Sequence, residues 1–293
     1  MEKLDYIIFL LESEAAKLDQ LGIPGSFVPY QMLRDDQDQL YEYMKTTNFL
    51  REVLQDEMFS SKAKVEFINY GSTELVFVIK DGDKIYTLLV NQPNIELSVV
   101  ENEYNNLIKL GKKHKFVVAP YKLYKNHERA AYLTPYIYQA RCLGSEAGTF
   151  GAWIPEPFYR FENYNDDDIH TITSVMIAEL VNLYDIDESL AVGKTKLGGG
   201  DFILEKEYDK EPHTIDNTLN RIHLIAAREL IKVEFNEYLE YIRKEYNMKT
   251  YGNSDPSILF NYRNRAAITK EAIEDGIKLG KKLKDMWYNY YTK

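Results

Sequence analysis

"AVGKTKLGGGDFILEK", residues Ala191–Lys206, sets Gly193-Lys194-Thr195 and three successive glycines, Gly198 to Gly200, directly before an apolar run. A phosphate-wrapping Walker loop needs a further glycine five residues before its Gly-Lys-Thr, and it leaves a strand to enter a helix. Glu188 occupies that glycine position, and the flanking segments read in the opposite order, helix first and strand second. The P-loop reading therefore fails on spacing and on context. Two readings remain. The glycines form a helix-to-strand turn that uses their freedom at positive φ, or the loop belongs to a site assembled with other segments.

Upstream, the hydrophobic pattern has the period of strands. "KVEFINYG", "TELVFVIK" and "KIYTLLVN", between Lys64 and Asn91, are rich in β-branched and aromatic residues, and Asp81-Gly82 marks a tight hairpin. After Pro93, "IELSVVENEYNNLIKLGKKH" places Val99, Tyr104, Leu107 and Leu110 at helical spacing and stops near Gly111. "KFVVAPYKLY" and "RAAYLTPYIY" then read as two more strands. The order is three strands, a helix, two strands.

Before this region, residues 2–20 and 31–59 read as helices broken by "GIPGS". After it, a Gly/Pro/aromatic segment at about 144–165 reads as an insertion. "DDDIHTITSVMIAELVNLYDI" reads as a helix with Asp166 to Asp168 at its positive end. Beyond the glycine loop come the strand "DFILEKE", the segment "HTIDN", one long amphipathic helix around "RIHLIAARELIKVEFNEYLEYIRKEY", and a last helix, "TKEAIEDGIKLGKKLKDMWYNYY". The expected divisions are a helical extension over 1–62, a sheet-bearing lobe over 63–140 and a helical lobe over 141–293.

Composition bounds the chemistry. The net charge of −10 over 293 residues opposes broad nucleic-acid binding. Cys142 is the single cysteine, which excludes an internal disulfide and points to a reducing cytoplasm. The five histidines show no metal-ligand spacing, and no run approaches the roughly 20 apolar residues of a membrane span. The 24 tyrosines suggest a surface suited to a protein partner.

The element order resembles the protein kinase-like superfamily, in particular its aminoglycoside phosphotransferase-like branch, over roughly residues 64–245. The resemblance implies an α+β, bilobal kinase-like fold: a five-stranded antiparallel sheet with one helix, then a mostly helical lobe, here with an N-terminal helical extension. It also implies a nucleotide, ATP with magnesium, bound between the lobes. Gly71, Ser72 and Thr73 in "NYGSTELVFVI" then form the turn above the nucleotide. Thr134 to Tyr136 in "YLTPYIY" form the hinge that meets the adenine. Glu103 in "ENEYNNL" is the helix glutamate that pairs with a third-strand lysine, a place where this chain has Leu89. A glutamate on such a charged helix face is otherwise solvated. "KLGGGDFIL" fits the catalytic loop with Lys196 where the catalytic aspartate belongs and Asp201 at the metal-binding asparagine.

Fifteen residues on, Asp216 in "TIDN" fits the magnesium-binding aspartate at the end of the next hairpin; it reads equally as the N-cap of a helix beginning at Thr218. Two functions follow from this mixture. One is a divergent phosphotransferase that binds nucleotide and magnesium through Asp201 and Asp216 and acts on an acceptor the sequence does not name. The other is a pseudokinase, a catalytically inactive interaction or structural module with a protein partner.

Overall fold

A computed structural model describes residues 37–70, 73–93, 95–137, 139–143, 165–192, 202–205, 208, 210–251 and 270–291. Three strands, β1 (Lys64–Tyr70), β2 (Glu74–Asp81) and β3 (Lys84–Asn91), form the expected antiparallel meander. Asp81 pairs with Lys84, so the hairpin loop is the two residues Gly82 and Asp83. Gly82 has φ +62° and Asp83 does not share the positive angle, the pattern of a type II′ turn whose twist suits a hairpin.

Helix α1 (Gln37–Leu54) lies before β1, and α2 (Leu97–Gly111) separates β3 from β4 (Lys122–Lys125) and β5 (Ala130–Pro135). The five strands make one sheet in the order β1-β2-β3-β5-β4. The α+β class, this antiparallel sheet and the placing of its helix agree with the sequence reading. "KFVVAPYKLY" yields a strand only from Lys122 onward.

The sheet exists because alternate residues have somewhere to go. Phe77 and Ile79 of β2, Leu88 and Val90 of β3, and Ala131 and Leu133 of β5 share one face. Phe49, Leu50 and Val53 of α1 close over it. Each fully buried Val, Leu, Ile or Phe among them contributes about 1.5–3 kcal/mol. At the edge of this core the buried Asn91 side chain donates to the carbonyl oxygens of Gln92 and Ile95, and its Oδ1 accepts from the Ala130 amide at 2.9 Å. It ties the end of β3 to the start of β5.

The chain divides into two compact units. The first holds the described residues up to Tyr104 together with Pro120–Tyr136; the second holds Asn105–Ala119 and the described residues from Ile137 onward. The second unit contains β6 (Gln139–Leu143), α3 (Asp166–Asn182), β7 (Leu190–Val192), β8 (Phe202–Glu205), α4 (Ile215–Arg221), β9 (Ile222–Leu224), β10 (Leu230–Lys232), α5 (Phe235–Tyr251) and α6 (Lys270–Tyr291). Its strands form a three-stranded sheet, β6-β8-β9, and the pair β10-β7. Asn165 caps α3: its side chain accepts from the Asp168 amide, and the Asp168 carboxylate accepts from the Asn165 amide, both at 2.9 Å.

The long helix read from Arg221 is corrected. Residues 222–224 and 230–232 are strands, and helix begins only at Phe235. Ile222 and Leu224 are buried while His223 between them is half-buried, a period of two that β8 completes by pairing Leu204 with Ile222 and Phe202 with Leu224. Partners distant in sequence override the local helical pattern. Among the described residues no helix is long and apolar enough to cross a membrane.

Helix α6 crosses α3 with two glycines at the contact. A Cβ on Gly276 would stand 2.6 Å from both Ile177 Cβ and the Ser174 carbonyl oxygen; one on Gly280 would stand 2.6 Å from Val181 Cβ and 2.7 Å from the Ala178 carbonyl oxygen. Backbone oxygens on a packed helix cannot step aside as a side chain can. Gly276→Ala and Gly280→Ala are therefore expected to destabilise the protein by about 1–3 kcal/mol each, outweighing alanine's better helix propensity. Urea midpoints of the two variants against the parent chain check this.

Candidate functional site

Of the residues expected at a nucleotide site, Gly71, Ser72, Lys196 and Asp201 lie outside the described residues. Thr73 directly precedes β2. Glu103 is 1% exposed on α2, so the solvated alternative is overturned. Leu89 stands on β3 opposite Tyr132 of β5. Thr134 is buried within β5 and paired in register with Thr87, and Tyr136 follows the end of that strand.

Asp216 is exposed in the first turn of α4. Thr214 is the N-cap, its Oγ1 accepting from the Asn217 amide at 3.3 Å, so the N-cap role expected of Asp216 belongs to Thr214. The hairpin after the glycine loop is β8–β9, and α4 with Asp216 lies inside its connection. The end of the hairpin is Leu224, followed by Ile225, Ala226 and Ala227. Among the described residues no group of three or more His, Cys, Asp or Glu side chains is placed to hold a metal.

Within the second unit, the ends of two helices build a cleft of about 380 Å³ that the sequence reading did not single out. The last four carbonyls of any helix lack intrahelical partners, and those of α3 are met in turn. The Leu183 amide donates to Glu179 O at 2.9 Å, Tyr238 Oη to Leu180 O at 3.0 Å, and the Tyr184 amide to Val181 O at 3.2 Å. Lys284 Nζ, from α6, lies 3.5 Å from Asn182 O and donates to Tyr184 O. It also stands 5.5 Å from the Tyr184 ring centroid.

Beyond α3 the chain turns back on itself. Asp185 and Leu190 exchange amide hydrogen bonds at 2.8 and 3.1 Å, and Ser189 takes φ +52° to close the turn. Asp185 Oδ1 accepts from the Asp187 amide, while its other oxygen receives Lys113. Lys109 pairs with Glu188.

The cleft perturbs the groups that line it. Burial pushes the His114 imidazole down to about 4, and the charges of Lys284 and Lys113 add to that effect. Burial pulls the Lys284 ammonium down to about 8 against the opposing influence of Asp185. Behind the lining residue Asn182 lies Glu179, buried on α3 and accepting from Asn182 Nδ2 at 3.0 Å. Burial raises its carboxyl to about 7, partly offset by that hydrogen bond. One sequence signal does point to Lys284: it continues the stripe Ile273, Ile277, Gly280 at helical spacing, unlike the exposed Lys278 and Lys281.

No family model matches the chain, and no curated protein matches it. Among solved structures it is similar to the autoinhibited serine kinase domain of the giant muscle protein titin, at 12% identity and a TM-score of 0.37. The match covers 59% of this chain and 46% of that one. A likeness this loose decides neither fold nor chemistry.

Glu179 and His114 make stability depend on pH in opposite senses. The folded chain holds the Glu179 proton more tightly than the unfolded chain, so its contribution is complete below about pH 4.5 and is lost as pH rises through 7. Folding disfavours the protonated form of His114, so stability is lost as pH falls from 6.5 toward 4. Glu179→Gln, which keeps an acceptor for Asn182, is expected to match the parent at pH 5 and to exceed it at pH 8 by on the order of 1–3 kcal/mol. Urea denaturation at the two pH values measures the difference.

Proposed function

We propose that this chain is a non-catalytic interaction module built on a kinase-like plan, the second of the two functions implied by its sequence. One observation carries the reading. At the end of the β8–β9 hairpin, where the resemblance calls for a magnesium-binding aspartate, the chain has Ile225-Ala226-Ala227. Ala227 is buried, and its carbonyl oxygen accepts from Asn106 Nδ2 at 2.9 Å; the Arg228 carbonyl accepts from the same group at 3.2 Å. Alkyl side chains offer no oxygen to a magnesium ion, and the first acid beyond them is Glu229.

The other departures point the same way. Lys196 replaces the catalytic aspartate, and a protonated lysine cannot accept the acceptor's proton. Leu89 replaces the strand lysine that would hold phosphates. Base and phosphate-binding cation are parts phosphoryl transfer needs, and at both positions the resemblance finds a change, while Asp201 at the other metal position keeps a carboxylate. The kinase-like plan itself rests on the order of elements: a helix between the third and fourth of five antiparallel strands, then a helical unit with a short hairpin. Tyrosine abundance adds little support for a partner surface, since Tyr132, Tyr208 and Tyr238 are wholly buried.

Thermal unfolding of the full chain with ATP and excess magnesium tests the proposal. A ligand at a hundred times its dissociation constant raises stability by about 2.7 kcal/mol, so binding at millimolar nucleotide is readily seen. The expected result is an unchanged Tm. A magnesium-dependent rise that Asp216→Asn abolishes overturns the proposal in favour of a nucleotide-binding phosphotransferase using Asp201 and Asp216.

A further inference from the structure

The cleft at the end of α3 is of a size that holds small molecules, which occupy pockets of about 300–1,000 Å³. Leu110, Leu183, Ile186, Leu190 and Leu230 give it apolar walls, and Ile186 at 53% exposure is a large aliphatic side chain left open to water.

Its charges are unevenly matched. Lys109, Lys112, Lys113 and Lys284 line it against Asp185 and Asp187. Lys113 is paired with Asp185, and Lys109 with Glu188. Asp185 is further engaged by the amides of its own turn. Lys284 is half-buried, as Lys109 is, but its hydrogen bonds go to the carbonyl oxygens of Tyr184 and Asn182. Carbonyl dipoles and the negative end of α3 stabilise that ammonium in part, the charges of Asp185, Asp187 and Asp285 support it, and an ammonium carries three donors. A partly buried charge gains most from an anion that reaches it out of water. The apolar walls select a ligand with a hydrocarbon body, and Asp185 and Asp187 discourage more than one negative charge.

We propose that this cleft binds a small monocarboxylate with an apolar body, its carboxylate on Lys284 Nζ and its hydrocarbon against Leu183, Ile186, Leu190 and Leu230. The site stands apart from the nucleotide question, since every residue in it belongs to the second unit and none to the expected nucleotide positions.

Titration of the full chain with octanoate, followed by calorimetry, tests this, with octanol as the uncharged tail and acetate as the charge without a tail. Octanoate is expected to bind at least about tenfold more tightly than either, the scale of one charge-assisted hydrogen bond together with the buried chain. Lys284→Met is expected to bring octanoate down to the level of octanol. Because that change also removes a helix cap, Ile186→Glu supplies a second reading: it alters an exposed rim residue, leaves Tm unchanged and weakens octanoate about tenfold by like-charge repulsion. Equal binding of octanoate and octanol, or octanoate affinity unmoved by both variants, overturns the proposal and leaves Lys284 as a helix cap alone.

Discussion

Helix α3 is buried on all sides over its last turns, and the second unit is arranged to make that tolerable. Ile172, Val175, Met176, Ile177, Leu180 and Val181 are inaccessible, as a helix apolar all round its circumference must be. Such a helix needs neighbours that approach its backbone closely. Gly276 and Gly280 let α6 do so, and Ser174 Oγ donates across the contact to the Ala272 carbonyl at 3.1 Å. The outer edge is fixed by Arg243 of α5, whose guanidinium meets the Glu274 carboxylate at 2.7 and 3.1 Å.

The same burial explains the perturbed groups. A helix whose end is out of water must have its last carbonyls satisfied by protein, and two of the groups that do so, Tyr238 and Lys284, are brought from α5 and α6. Lys284 is therefore placed by a structural need, and its depressed basicity is the consequence. His114 and Asn182 line the cleft, and Asn182 in turn donates to the buried Glu179. Burial disfavours the charged form of each, which lowers the histidine and raises the glutamate.

The first unit was legible from the sequence because its order is local. Strand alternation, a glycine at the hairpin and a helix stop near Gly111 are signals contained within a few residues, and Lys64–Asn91 folds as those signals say. The second unit was less so. "RIHLIAARELIK" has the composition of a helix, and what makes it two strands is the presence of Phe202–Leu204 and Leu190–Val192, far back along the chain. Lys284 sits among several lysines in "KLGKKLKD", and only the stripe through Ile273, Ile277 and Gly280 separates it from them. Asp216 follows Asp201 by fifteen residues, but that spacing carries no signal that α4 interrupts the hairpin and takes Asp216 into its first turn.

That interruption bears most directly on what the fold does. With α4 inserted between β8 and β9, the residues that follow the hairpin are committed to contacts that hold this unit together. Leu224 exchanges hydrogen bonds with the 116–118 segment, its amide to Phe116 O at 3.0 Å and its carbonyl from the Val118 amide at 2.9 Å. Asn106 holds the two carbonyls that follow Ala226. Here the strand end serves as a seam joining β9, the 116–118 segment and α2. Ala227 is buried in this seam, and its carbonyl, held by Asn106, keeps the residues after β9 tied to α2.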